Sequence, residues 1–92
     1  MIRNFKHRGL KTYHERGTTR YLNADHVAKI RSILHLLDVA AEPRELGIPA
    51  LRLHPLKGEY KGFWAISVSD NRRIIFRFED GDACDVELID HH

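Results

Sequence analysis

The apolar positions change their period halfway along the chain. Between residues 24 and 41 they recur at helical spacing. Val27, Ile30, Leu34, Leu37 and Ala41 form one stripe, and Ile33, Leu36 and Ala40 widen it. This predicts a well-covered helix with Asn23 as its N-cap. Pro43, Gly47 and Pro49 then break the pattern. From residue 50 the period drops to two. Residues 51–54 read as a strand with Leu51 and Leu53 on one side and Arg52 and His54 on the other. Pro55 and Gly58 mark a loop. Residues 63–68 place Trp64, Ile66 and Val68 on one face. Residues 72–78 place Ile74, Phe76 and Phe78 inward and Arg73, Ile75 and Arg77 outward. Asp70-Asn71 and Asp80-Gly81 are turn signals, the second a hairpin signal. Residues 83–89 bury Cys84, Val86 and Leu88. In the first quarter, residues 2–5 read as a short strand and residues 10–16 as a short helix ending at Gly17.

The expected architecture is α+β. Two helices and a short N-terminal strand pack on the apolar face of a mainly antiparallel meander. The opposite face would carry Arg52, His54, Arg73, Arg77 and Glu87, a polar and mostly cationic surface. At 92 residues the chain is expected to be one domain, 1–92. A hydrophobic share of 42% is that of a globular protein. The single cysteine, Cys84, excludes an internal disulfide framework and reads as packing. No apolar run approaches the ~20 residues of a membrane span, and the first residues carry no apolar signal core, so the expected compartment is the cytoplasm.

Net charge is only +2, but it is unevenly spread. Residues 1–62 hold 12 Lys/Arg against 6 Asp/Glu, and residues 63–92 hold 3 against 7. The basic part can approach a polyanion. The acidic part argues against a simple DNA-coating protein and suits a charged protein partner equally well.

The candidate chemistry lies in histidines and cations. Seven histidines are present. His7, His14, His26 and His35 fall in the helical half and read as solvated surface residues. His54 ends a strand just before Pro55-Leu56-Lys57-Gly58, where binding groups are presented. Asp90, His91 and His92 close the chain, tied to the strand that reaches Ile89. Such a set suits RNA cleavage, in which the ribose 2′-OH is the nucleophile and no cofactor is needed. A base takes its proton, an acid protonates the departing oxygen, and cations hold the doubly charged phosphate. Lys57 and Arg73 fit the cationic role, Arg73 bidentately. Asp90 could hold a histidine in one tautomer. The same side chains, His54, Asp90, His91 and His92, are also legitimate zinc ligands. Against a metal site, adjacent His91 and His92 on an extended tail point apart, and no HExxH or paired-Cys spacing occurs.

The run Leu53-His54-Pro55-Leu56-Lys57-Gly58, followed by Gly62-Phe63-Trp64-Ala65-Ile66 and Asn71-Arg72-Arg73-Ile74, resembles the HigB toxins, the killer-protein branch of the RelE superfamily. The start, Met1 to Leu10, and the close, Ile89-Asp90-His91-His92, resemble that family too. The resemblance implies a RelE-like single domain. It also implies an endoribonuclease that enters the A site of the 70S ribosome and cleaves translated mRNA without a cofactor or metal, stopping translation and growth. It implies a helix-turn-helix antitoxin partner (HigA-like) and operator DNA binding only through the toxin–antitoxin complex. Carried over by position, His54, Lys57, Arg73, Asp90 and His92 are catalytic. His91 stands where the family usually has a tyrosine, which leaves the acid and base assignments open. Arg52, Lys61 and Arg77 are the further RNA-contacting candidates. Two rival readings keep the fold without the chemistry: a non-catalytic RNA-binding subunit, and a protein whose main role is to assemble with a DNA-binding antitoxin.

Overall fold

The computed structural model describes residues 1–90. Four strands form one antiparallel meander in the order β1-β2-β3-β4: β1 (His54–Pro55), β2 (Trp64–Ser67), β3 (Arg72–Glu79) and β4 (Asp82–Asp90). Two helices, α1 (Arg8–Arg16) and α2 (Val27–Val39), precede the sheet. The expected α+β layering is therefore observed.

One face of the sheet makes the core. Ile66, Ile74, Phe76, Ala83, Val86 and Leu88 pack with Ile30, Ile33, Leu34 and Leu37 of α2 and with Leu10 of α1. The register puts Trp64 opposite Phe76 and Ile66 opposite Ile74, so the alternation read from the sequence carries through β2 and β3. The other face is not purely polar. Ala65, paired with Ile75, is fully buried there together with Ile75 and Cys84.

The hairpin expected at Asp80-Gly81 forms, with both residues at positive φ (51° and 83°) between Glu79 and Asp82. This is the backbone twist that short hairpin turns require.

Four expectations need correction. The N-terminal strand at 2–5 is only a pair of parallel bridges, Ile2 with Ala83 and Phe5 with Val86. Between them the Asn4 side chain bonds Asp85. The first helix starts at Arg8, two residues early, because His7 caps it: the Leu10 N–H donates to His7 Nδ1 at 3.1 Å. The long helix begins with a 3₁₀ turn, Ala24–His26, under the Asn23 cap, and stops at Val39. Ala40 is already extended (ψ 144°), so Ala41 is exposed rather than part of the stripe. Finally, no strand covers 51–54. A 3₁₀ turn, Pro49–Leu51, ends at Arg52 in the left-handed conformation, and pairing starts only at His54. Pro55 lies within that strand, on the sheet edge, where its missing N–H costs no ladder bond.

A bulge in β4 explains where Cys84 ends up. Ile75 pairs with Glu87 and Arg77 with Cys84, so Asp85 and Val86 together face the single Phe76. Asp85 takes positive φ (53°). The extra residue flips the alternation, leaving Val86 and Leu88 in the core and Cys84 beside Arg77 on the opposite face.

Candidate functional site

By register, His54, Arg73 and Arg77 share the sheet face opposite the one that packs on α2. One cross-strand row runs His54, Ala65, Ile75, Glu87. The neighbouring row runs Ser67, Arg73, Ile89. His54 and Arg73 thus share a face. They lie two strands and two residues apart, or about 12 Å between Cα atoms at ordinary sheet spacings. Between them in the ladder lie Ala65 and Ile75, both fully buried.

The backbone around His54 is fixed from both sides. Pro55 restricts His54 to extended geometry, and His54 pairs with Ala65. The ring's Nδ1 lies 2.9 Å from the Arg52 carbonyl oxygen. Lys57 follows in the exposed loop, at the start of the 3₁₀ turn Gly58–Tyr60, and Lys61 ends that turn. Tyr60 and Phe63 pack edge to face there, 5.9 Å between ring centres. This gives the loop that carries both lysines an aromatic footing.

The remaining candidates are less free. Arg77 is engaged by Asp85 at 2.8 Å and by Glu79 at 2.6 Å. These two carboxylates, Glu79 first, raise its pKa above the ordinary guanidinium value, and they neutralise its charge. Asp90 pairs in register with Arg72 and forms an ion pair with it at 2.5 Å. By alternation that pair belongs to the face opposite Arg73. The structure therefore places Asp90 on Arg72. Arg52 is exposed, with its guanidinium outside the ladder. His91 and His92 lie outside the described residues. Among the described residues, no three His, Cys, Asp or Glu side chains are grouped to hold a metal ion.

The histidines read as merely solvated divide. His35 is exposed. His14 approaches Asp38 at 3.5 Å and packs on Phe5. His26 keeps Nδ1 buried without a partner among the described residues. His7 is a helix cap, which the sequence did not signal because capping is ordinarily the work of Ser, Thr, Asp or Asn.

Residues 3–92 match the family of HigB-like toxins, described as the RelE-like toxin of the type II toxin–antitoxin system HigB. Over all 92 residues the chain is 44% identical to the endoribonuclease HigB of Proteus vulgaris, covering 100% of both chains. Among solved structures, the chain resembles a YoeB/ParE toxin from Agrobacterium tumefaciens (TM-score 0.60, 19% identity, 100% and 99% of the two chains covered). It also resembles a YafQ mutant from E. coli (TM-score 0.56, 18% identity, 96% and 92% covered). At such identities the two structures speak for the fold alone. No helix among the described residues is long and apolar enough to cross a membrane.

Proposed function

We propose, because the chain belongs to the HigB-like family of RelE-like toxins of type II toxin–antitoxin systems and is an endoribonuclease, that it cuts mRNA during translation, in the A site of the 70S ribosome, without a metal. The observation that carries the reading is the placement of His54 and Arg73 on one sheet face, with Lys57 in the adjoining loop.

The reaction is a transesterification. The ribose 2′-oxygen loses its proton to a base and bonds to the adjacent phosphorus. The bond to the 5′-oxygen breaks, and that oxygen takes a proton. The products are a 2′,3′-cyclic phosphate and a 5′-hydroxyl, with no change of oxidation state. His54 supplies an imidazole, a group that can take or give a proton. Arg73 and Lys57 stabilise the phosphate as its charge grows. Asp90, His91 and His92, consecutive in the sequence, are proposed as the rest of the set. Arg52, Lys61 and Arg77 are proposed RNA contacts, Arg77 the weakest because its charge is already paired.

Type II membership makes an antitoxin the partner. We propose a HigA-like helix-turn-helix protein in that role, with operator DNA bound through the complex, in the cytoplasm.

The test is induction of the gene alone in bacteria beside its His54→Ala and His92→Ala forms. Wild type should arrest growth and cut translated mRNA. Each variant should lose on the order of 10²-fold or more in cleavage rate while still binding the antitoxin. With purified components, cleavage should need ribosomes and should survive a zinc chelator that spares magnesium. Intact mRNA and normal growth with wild type would remove the nuclease reading and leave a binding subunit.

A further inference from the structure

We propose that the backbone carbonyl of Arg52, aimed by that residue's left-handed conformation, is the positioning group that fixes His54 with its proton on Nδ1 and its lone pair on Nε2. The inference rests on the reading of His54 as a catalytic residue, and it names the atom through which that residue works.

His54 Nδ1 stands 2.9 Å from the Arg52 carbonyl oxygen. A carbonyl oxygen has lone pairs and no proton, so it can only accept. The ring nitrogen must therefore donate, and in the neutral imidazole the proton sits on Nδ1. The other nitrogen, Nε2, then holds the free lone pair. A neutral His54 so arranged can take a proton at Nε2 and not at Nδ1.

The backbone on both sides holds this hydrogen bond in place. If the ladder of β1 and β2 continued backwards in register, residue 52 would sit opposite Ser67 with its carbonyl in the sheet plane. It does not continue. The 3₁₀ turn Pro49–Leu51 closes with the Arg52 N–H donating to the Pro49 carbonyl at 3.2 Å, and Arg52 adopts φ 51°, ψ 44°. That conformation is uncommon for a residue with a Cβ. Leu51, buried next to it, anchors the turn in the core. Beyond His54, Pro55 and the pairing with Ala65 hold the imidazole's own backbone. The strained residue thus stands two positions from the imidazole, and its carbonyl meets the nitrogen that must not carry the lone pair. Uncommon backbone conformations of this sort persist where the surroundings over-determine them.

Arg52 therefore acts through its main chain, and its guanidinium is separable from that role. Glycine at 52 keeps the left-handed conformation and the carbonyl while removing the charge. Valine at 52 disfavours the conformation through its branched Cβ.

The experiment is ¹⁵N NMR of the histidine side chains in the full-length protein, with the His54 signals assigned by comparison with His54→Ala. Wild type at a pH where His54 is neutral should show the Nδ1–H tautomer. Arg52→Gly should show the same tautomer. Arg52→Val should show a mixture or the Nε2–H form, and its ribosome-programmed cleavage rate should fall about tenfold or more. An Nε2–H tautomer in wild type, or an unchanged tautomer in a folded Arg52→Val protein, overturns the proposal. If Arg52→Val does not fold, the wild-type and Arg52→Gly spectra still decide. Loss of the tautomer in Arg52→Gly would move the cause to the guanidinium and overturn it too. The NMR result does not depend on activity. If His54→Ala still cleaves, the active-site reading fails, whereas the tautomer assignment stands or falls separately.

Discussion

His7 ties a single ionisable side chain to the start of a helix. Its Nδ1 accepts the Leu10 N–H, which requires a lone pair on that nitrogen. Burial pushes its pKa below the ordinary imidazole value; Glu87 opposes this and the Arg72 charge adds to it. A histidine whose folded value is lowered contributes stability above its unfolded value, near 6.5, and loses that contribution as pH falls through the folded value. Thermal stability should therefore drop on going from about pH 7.5 to about pH 5. His7→Asn, which caps without titrating, should show a smaller drop when both are melted at the two pH values. Asp38 acts in the same direction at lower pH. The Ile2 N–H bonded to its carboxylate at 3.0 Å, and then His14, hold its pKa below the usual carboxylate value, while burial opposes them. Its contribution is present above the unfolded carboxylate value and lost below the folded one. Asp38→Asn should flatten the acid limb of the stability curve. An unchanged limb would mean that the Ile2 bond does not hold the N-terminal segment.

At the scale of elements, the bulge in β4 sets what each face of the sheet carries. Asp85 in positive φ is held by Arg77 from β3 and by both polar side-chain atoms of Asn4. The carboxyl of Asp85 is accordingly held below its usual value, Asn4 being the larger cause. Asn4 is what turns the first residues from a potential strand into a clasp around the bulge. Asn4→Ala should destabilise the fold by about 1 kcal/mol and speed amide exchange in residues 2–6, as read by hydrogen–deuterium exchange. The β3–β4 turn is a second element-level test. Gly81 at φ 83° has open space around it, so a side chain there meets strain and not a clash. Gly81→Val should cost about 1–2 kcal/mol in denaturant unfolding, with the His54 face unaffected.

For the whole molecule, the first two thirds and the last third of the chain divide the charge. In the last third, Arg72 and Arg77 are matched with carboxylates, whereas Arg73 has no carboxylate within 4.0 Å among the described residues. Of these three arginines, Arg73 is thus the one whose charge is unmatched among the described residues. Affinity for an RNA target should fall steeply with salt. Arg73→Ala should make the slope of log affinity against log salt shallower by about 0.7–0.9 for each phosphate that Arg73 neutralises, measured by equilibrium binding to ribosomes. The fold depends on one core shared by helix and sheet. Phe76, fully buried at its centre, pairs across to Trp64 and meets the Phe78 ring edge to face at 5.8 Å. Phe76→Ala should cost about 3–5 kcal/mol, a large fraction of the about 5–15 kcal/mol that stabilises a small domain.

Period and turn chemistry determined the broad plan. The helical stripe of α2, the alternation in β2 and β3, and the Asp80-Gly81 turn depend on neighbours within a few residues, so they were legible in order along the chain. So were His54 and Arg73 as candidates, because alternation alone puts them on the polar side. What only the tertiary structure decided involves partners far apart in sequence. Arg77 was read as an RNA-contacting cation, and one of the two carboxylates that meet it, Asp85, arrives through a bulge that no local pattern announces. Asp90 was read as able to orient a histidine, and only strand register shows that it also meets Arg72. Arg52 was read as a strand residue with a useful charge, and the turn before it needed the buried Leu51 as an anchor to take its left-handed form. Periodicity reports which side of an element is wet. It carries no information on which charges meet across the sheet, or on where a backbone leaves its regular path, and those are settled by packing.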